Sequence, residues 1–252
     1  MSAWVETRSP HFTARYDEGH GADVRGVLDL LERTREHVGA LFPALPDDVS
    51  VILHASRVEL DLAQPLLPVM RHVTTPAARR YLAGWAGRGA VHVLAPRLLA
   101  ERAANVEGSR AMLLLTPAAL YLQLVVATCN PHLPPPWSPR STARAARWGW
   151  LYAGSAQWFS GQTAIGRSVI ARRLREDARP EFPPALKDAA LLGGSVVDLV
   201  ARERGAAAAV RLVCSPLPAG GWREALLTAF EGRSIAHTEG TWRAHLGRLA
   251  ER

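Results

Sequence analysis

From Ala111 to Cys129 the chain runs nineteen positions without a single charge. A run of that length cannot be left in water, so it either crosses a bilayer or forms the centre of a core. Thr116, Pro117, Gln123 and Thr128 interrupt it, and no second apolar span or anchor accompanies it. A buried central helix is therefore expected, with no membrane span. The start, Met1-Ser2-Ala3-Trp4-Val5-Glu6, lacks a basic n-region and an apolar h-region, so a cytoplasmic location is expected.

Charge divides the chain unevenly. The net charge is +7, and Lys187 is the only lysine beside 29 arginines. An arginine and alanine excess of this kind (42 alanines) is what a GC-rich genome produces, so basicity alone does not specify a nucleic-acid partner. Between Gly108 and Arg175 there are eight arginines and no Asp or Glu. Arg140, Arg144 and Arg147 are among them, and Trp137, Trp148, Trp150 and Trp158 interleave with these arginines. Such a segment can bind an anionic group, an acidic peptide or a nucleic acid, or can be a solvated basic face.

Periodicity places the elements. Phe12, Ala14 and Tyr16 alternate as a half-buried strand, and Val49 to Leu53 forms a second. Between them Asp23 is expected to cap a helix carrying Val24, Val27, Leu28, Leu31, Val38 and Phe42, ended by Pro43. Ser56 and Glu59 have capping-box spacing and open a short helix that stops near Pro65. Tyr81–Ala86 and Ala90–Leu94 flank Gly87-Arg88-Gly89 as a hairpin. Helices are expected over 150–160, 161–175, 195–204, 206–213, 221–230 and 241–250, with a Pro-rich loop over 131–139. Ser195 and Asp198 are spaced as a capping pair, and Gly205 and Gly240 are placed at helix ends. The whole reads as one α+β domain, 1–252. A mixed β-sheet lobe with helices, 1–110, precedes a helical lobe, 111–252.

Several of these segments resemble the bacterial peptidase MA-like proteins, which are gluzincin metallopeptidases. The resemblance lies in Trp4 with Ser9-Pro10-His11-Phe12-x-x-x-Tyr16, and in Gly84-Trp85-Ala86 leading to Val91-His92-Val93-Leu94. It continues in Trp150-Leu151-Tyr152-Ala153-Gly154-Ser155-Ala156 through Gly161, against a W-x-x-E-G-x-A-x-x-x-x-G pattern. It ends with Gly194-Ser195-Val196-Val197, Gly205, Ala225–Phe230 and Trp242. The resemblance implies a zincin-like fold in which H-E-x-x-H puts two zinc ligands on one helical face, a Glu base between them and a third Glu ligand on a later helix.

Here the matching positions are Thr116, Pro117 and Leu120, with Ala153 for the third ligand. Leu and Ala cannot ligate, a threonine hydroxyl ligates poorly, and proline cannot take a proton. Pro117 suits the first turn of a helix, with Thr116 as its N-cap. No catalytic residue, metal ligand or cofactor is expected, and the chain reads as a non-catalytic binding or scaffolding protein. Candidate ligand-binding residues are Trp85, His92, Arg140, Arg144, Arg147 and Gln157, for an anionic group or for a peptide paired along the Ala90–Leu94 edge. A hydrolase with unaligned catalytic residues and a polyanion binder are the alternatives.

Other motifs are thin. No His-x-x-x-His pair occurs among nine histidines, and Cys129-x-x-His132 lacks a partner pair. Gly154-Ser155 and Gly194-Ser195 do not complete Gly-x-Ser-x-Gly, which leaves a Ser195, Asp198, His237 triad without a motif. Neither a phosphate-binding loop nor a dinucleotide fingerprint is present.

Overall fold

A computed structural model of the chain describes residues 4–133, 135, 139–176 and 179–251. Trp137 and part of the Pro-rich loop, 134 and 136–138, lie outside them. A five-stranded sheet forms the first lobe, from β1 (Trp4–Arg8), β2 (Phe12–Asp17), β3 (Val49–His54), β4 (Gly84–Ala86) and β5 (Ala90–Leu94). The order is β1-β2-β3-β5-β4. The two central pairings, β2 with β3 and β3 with β5, are parallel; the outer two are antiparallel. Alternation decides the faces. Phe12, Ala14, Val49, Val51, Val91 and Val93 are buried on one side, while Thr13, Arg15, Ser50 and Ile52 point to the other and stay partly exposed.

The lobe's helices are α1 (Gly21–Gly39), α2 (Arg57–Ala63), α3 (Leu66–Val73), α4 (Pro76–Arg79) and α5 (Pro96–Glu101). The capping box is real: Glu59 N donates to Ser56 Oγ at 3.2 Å, and Glu59 reaches back to Ala55 N at 2.9 Å. Asp23 is not a cap. Asp17 accepts from Gly19 N and caps a 3₁₀ turn over Glu18–His20, from which α1 continues. This helix ends at Gly39, ahead of Pro43, and Phe42 is buried beyond it.

The second lobe comprises α6 (Ser109–Leu114), α7 (Thr116–Cys129), α8 (Pro139–Phe159), α9 (Gln162–Ile165), α10 (Arg167–Leu174), α11 (Leu186–Arg204), α12 (Ala206–Cys214), α13 (Trp222–Ala229) and α14 (Ile235–Ala250). Residues 116–122 and 124–126 of α7 are all buried, which accounts for its lack of charge. No helix among the described residues is long and apolar enough to cross a membrane. The apolar run is broken at Leu115, because Pro117 has no N–H to donate and its ring would strike the carbonyl four residues back. Thr116 is the first helical residue rather than the cap, and its hydroxyl makes no capping bond.

Helices α8 and α11 are longer than periodicity suggests. The first starts eleven positions before Trp150, and the second nine before Ser195. The two cross through glycines. A Cβ on Gly154 would lie 2.8 Å from Gly193 Cα, and one on Gly193 would lie 2.7 Å from Trp150 O. Ser195 is consequently buried mid-helix, where it donates to Leu192 O at 2.6 Å and accepts from Trp242 Nε1 at 2.8 Å. Gly205 does separate α11 from α12, at φ 82°. Gly240 lies inside α14, not at its end.

Among the described residues one Arg–Asp ion pair is fully buried. Arg173 Nε and Nη2 donate to the two oxygens of Asp188 at 2.6 and 2.8 Å, with both side chains at most 1% exposed. Thr75 Oγ1 adds a bond to Asp188 at 3.1 Å, tying the first lobe to α10 and α11.

Urea unfolding tests both features. Gly154→Ala is expected to lower stability by about 1–3 kcal/mol through overpacking. Gly26→Ala, on the exposed face of α1 with nothing within 4 Å, should raise it by about 0.5–1 kcal/mol. Asp188→Ala removes the bidentate partner of a buried guanidinium and should cost about 3–5 kcal/mol.

Candidate functional site

Thr116 and Leu120 are one turn apart on α7 and face the same way. Ala153 and Gln157 have the same relation on α8. The glycine crossing with α11 fixes α8 against α7, and the four residues meet with Trp85 of β4 around one cavity of about 80 Å³. Met70 of α3, Thr74 at its C-cap, and Ala189 and Ala190 of α11 complete its sides. Gly84 is required at the mouth: a Cβ there would lie 2.5 Å from Leu120 Cδ1 and 2.6 Å from His92 O. Pro117 is buried in the first turn of α7 and shapes the backbone rather than the wall.

The cavity has no formal charge. Asp, Glu, His, Cys, Lys and Arg are all missing from its described lining. Its titratable groups are Tyr81 and Tyr152, and burial pushes both phenols up, so both are protonated at neutral pH. Tyr81 bonds Ser109 Oγ at 2.7 Å. Gln157 donates to Ala190 O and accepts from Gly194 N at 3.3 Å, so its amide is already held by α11. Thr116 Oγ1 is buried without a partner. Tyr152 and Gln123 likewise have no hydrogen-bond partner among the described residues. Neither polar group had been singled out from sequence as part of a site. The signal was the spacing of Thr116, Leu120 and Gln123 at i, i+4 and i+7 in an apolar run.

Other expected site residues lie elsewhere. His92 is on β5, and its ring Nδ1 is 3.2 Å from Nε2 of His54 on β3. The two rings stack with centroids 5.4 Å apart. Burial and the neighbouring His54 bring His92 down to about 4, and burial also lowers His54. Arg140, Arg144 and Arg147 are exposed on the first turns of α8 and do not line the cavity. The eight arginines of the acid-free segment are spread over α6, α8, α10 and the α10 C-cap, and Arg173 is spent on Asp188.

β5 is not an edge. It is paired on both sides, by β3 and by β4, so peptide addition along Ala90–Leu94 is excluded. The outer strand is β4, three residues long. Ser195, Asp198 and His237 do not form a triad either. His237 lies in the exposed first turn of α14, and Asp198 Oδ2 pairs instead with His245 Nε2 at 2.8 Å.

No protein-family model matches the chain, and no curated protein matches it in sequence. Its structure is similar to an M1 zinc metallopeptidase from Deinococcus radiodurans, with a TM-score of 0.50 and 14% identity. The match covers 97% of this chain and 51% of that one, so the chain spans about half the peptidase's length. The fold is zincin-like. In this chain the residues of the cavity do not fit a zinc ion: they offer the hydroxyls of Thr74, Tyr81, Thr116 and Tyr152 and the amides of Gln123, Gln157 and Gln162, without imidazole, thiol or carboxylate. No group of three His, Cys, Asp or Glu suited to a metal occurs among the described residues.

The histidine pair has a measurable consequence. His92 is neutral in the folded protein down to about pH 4, whereas in the unfolded chain it takes up a proton near its ordinary 6.5. Falling pH thus favours the unfolded state between those values, and stability is lost across that window. His92→Gln should flatten the pH dependence of urea stability between pH 6.5 and 4. An unchanged slope would remove His92 as its source.

Proposed function

We propose that the chain is a non-catalytic binding protein on a zincin-like scaffold, whose cleft takes an uncharged ligand. The observation that carries this is the lining of the cavity. Thr116, Leu120 and Ala153 meet there, and no side chain can hold a divalent cation or accept a proton at neutral pH. The metal-assisted hydrolysis known from zinc peptidases needs both functions.

The same lining selects the ligand. An anion entering this cavity would be stripped of water without a cation to meet it, which costs several kcal/mol. The hydroxyls of Thr116 and Tyr152 and the amide of Gln123 are neutral and unpaired, and they suit a carbonyl or carboxamide group on a small apolar body. The arginines of α8 are exposed and stand outside the lining that this ligand would meet.

The test uses protein purified without chelator. Elemental analysis should find zinc, manganese and cobalt well below one per chain. Isobutyramide should raise the melting temperature, while isobutyrate, similar in shape but charged, should not. Thr116→Val and Tyr152→Phe should each weaken the amide's effect. One tightly held transition metal per chain would overturn the non-catalytic reading. Equal binding of the carboxylate would overturn the uncharged ligand.

A further inference from the structure

The chain has two cysteines, and they stand at helix ends that pack together. Cys129 is the last residue of α7 and Cys214 the last of α12, eighty-five positions later. Asn130 joins the two helix ends. Its buried amide donates to Val213 O at 2.9 Å and to Ser215 O at 2.7 Å, the carbonyls on either side of Cys214. Residue 129 is thereby held alongside residue 214, and the Cys129 thiol is close enough to act on that of Cys214, which it helps to push up. Both are free and half-buried, so small reagents can reach them. Cys129 Sγ also donates to Ala44 O at 3.2 Å, which keeps it at the junction of the two lobes.

We propose that Cys129 and Cys214 are a site of reversible oxidation, forming one disulfide that ties the end of α7 to the end of α12. The oxidant is a small-molecule disulfide. The Cys129 thiolate attacks one of its sulfurs, a mixed disulfide forms, and one small thiolate leaves. The Cys214 thiol then gives up its proton and attacks the Cys129 sulfur, releasing the second small thiolate. The protein loses two electrons and two protons, and the reagent becomes two thiols. This order follows from burial. Cys214 is pushed up to about 12 by its surroundings and by the neighbouring Cys129, so it is the slower thiol to ionise and acts second.

The bond would have consequences for stability and for the cleft. It closes a long loop, from the end of α7 to the end of α12, and such cross-links restrict the unfolded chain most. It also fixes the helix that carries Thr116 and Leu120. This inference does not depend on the ligand or on catalysis.

The full chain is incubated with oxidised glutathione, denatured, alkylated and weighed intact. The wild type should lose two hydrogens and take no alkyl group. Cys129→Ser and Cys214→Ser should each end with a single glutathione or a single alkylated thiol. Oxidation should raise the melting temperature of the wild type, and dithiothreitol should reverse it. The double variant should show neither effect. Two glutathione adducts, two alkylated thiols or disulfide-linked dimers in the wild type would each overturn the proposal.

Discussion

Everything around the cleft depends on how closely α8 and α11 approach. Side chains normally keep helix axes 8–10 Å apart, and only glycine lets backbones touch. Gly154 and Gly193 remove the Cβ atoms at the crossing, and Gly194 does so beside Thr163. Helix α8 is thereby pinned along its buried half. The pinning puts Tyr152 and Ala153 opposite α7, and lets Gln157 bond α11 at Ala190 and Gly194. The wall of the cavity is a by-product of a backbone contact.

The resulting site is polar without being charged, and the distinction governs what it can do. Hydroxyls and amides orient a ligand through direction and distance, and their states do not change over ordinary pH. General acid–base chemistry needs a group that titrates near neutrality, and the two phenols here are moved away from it by burial. The charges of the second lobe are spent differently. Arg173 locks two helices through Asp188, and His245 with Asp198 fixes α14 against α11. These are structural pairs, and none of them lines the cavity.

Much of this was legible in the residues. Alternation in Phe12–Tyr16 and Val49–Leu53 found the strands, and the uncharged run found the central helix. Thr116, Leu120 and Ala153, which the family resemblance sets on the ligand positions, line one cavity. What stayed hidden has physical causes. Sequence order does not reveal sheet order, and the hairpin pattern of β4 and β5 carries no sign that β3 pairs with the other side of β5. A serine three residues before an aspartate is a capping signal only at a helix start, and Ser195 sits mid-helix with Trp242 on its hydroxyl. Helix starts at Pro139 and Leu186 were missed because their first turns lack a regular apolar stripe, and alanine and arginine form helices without one. His92 looked available because its buried partner, His54, is remote in sequence.

The exposed end of α8 has its electrostatics reversed. Arg140 stands in the first turn, where the aligned peptide dipoles already concentrate positive potential, and that turn holds no acid to offset it. Arg144 and Arg147 follow at spacings that place like charges beside one another. From Trp148 onward the helix is held by burial. The two halves of one continuous helix therefore differ in local stability. Hydrogen exchange along this helix is expected to be faster on the arginine side and slower from Trp148 on, where the cleft wall begins.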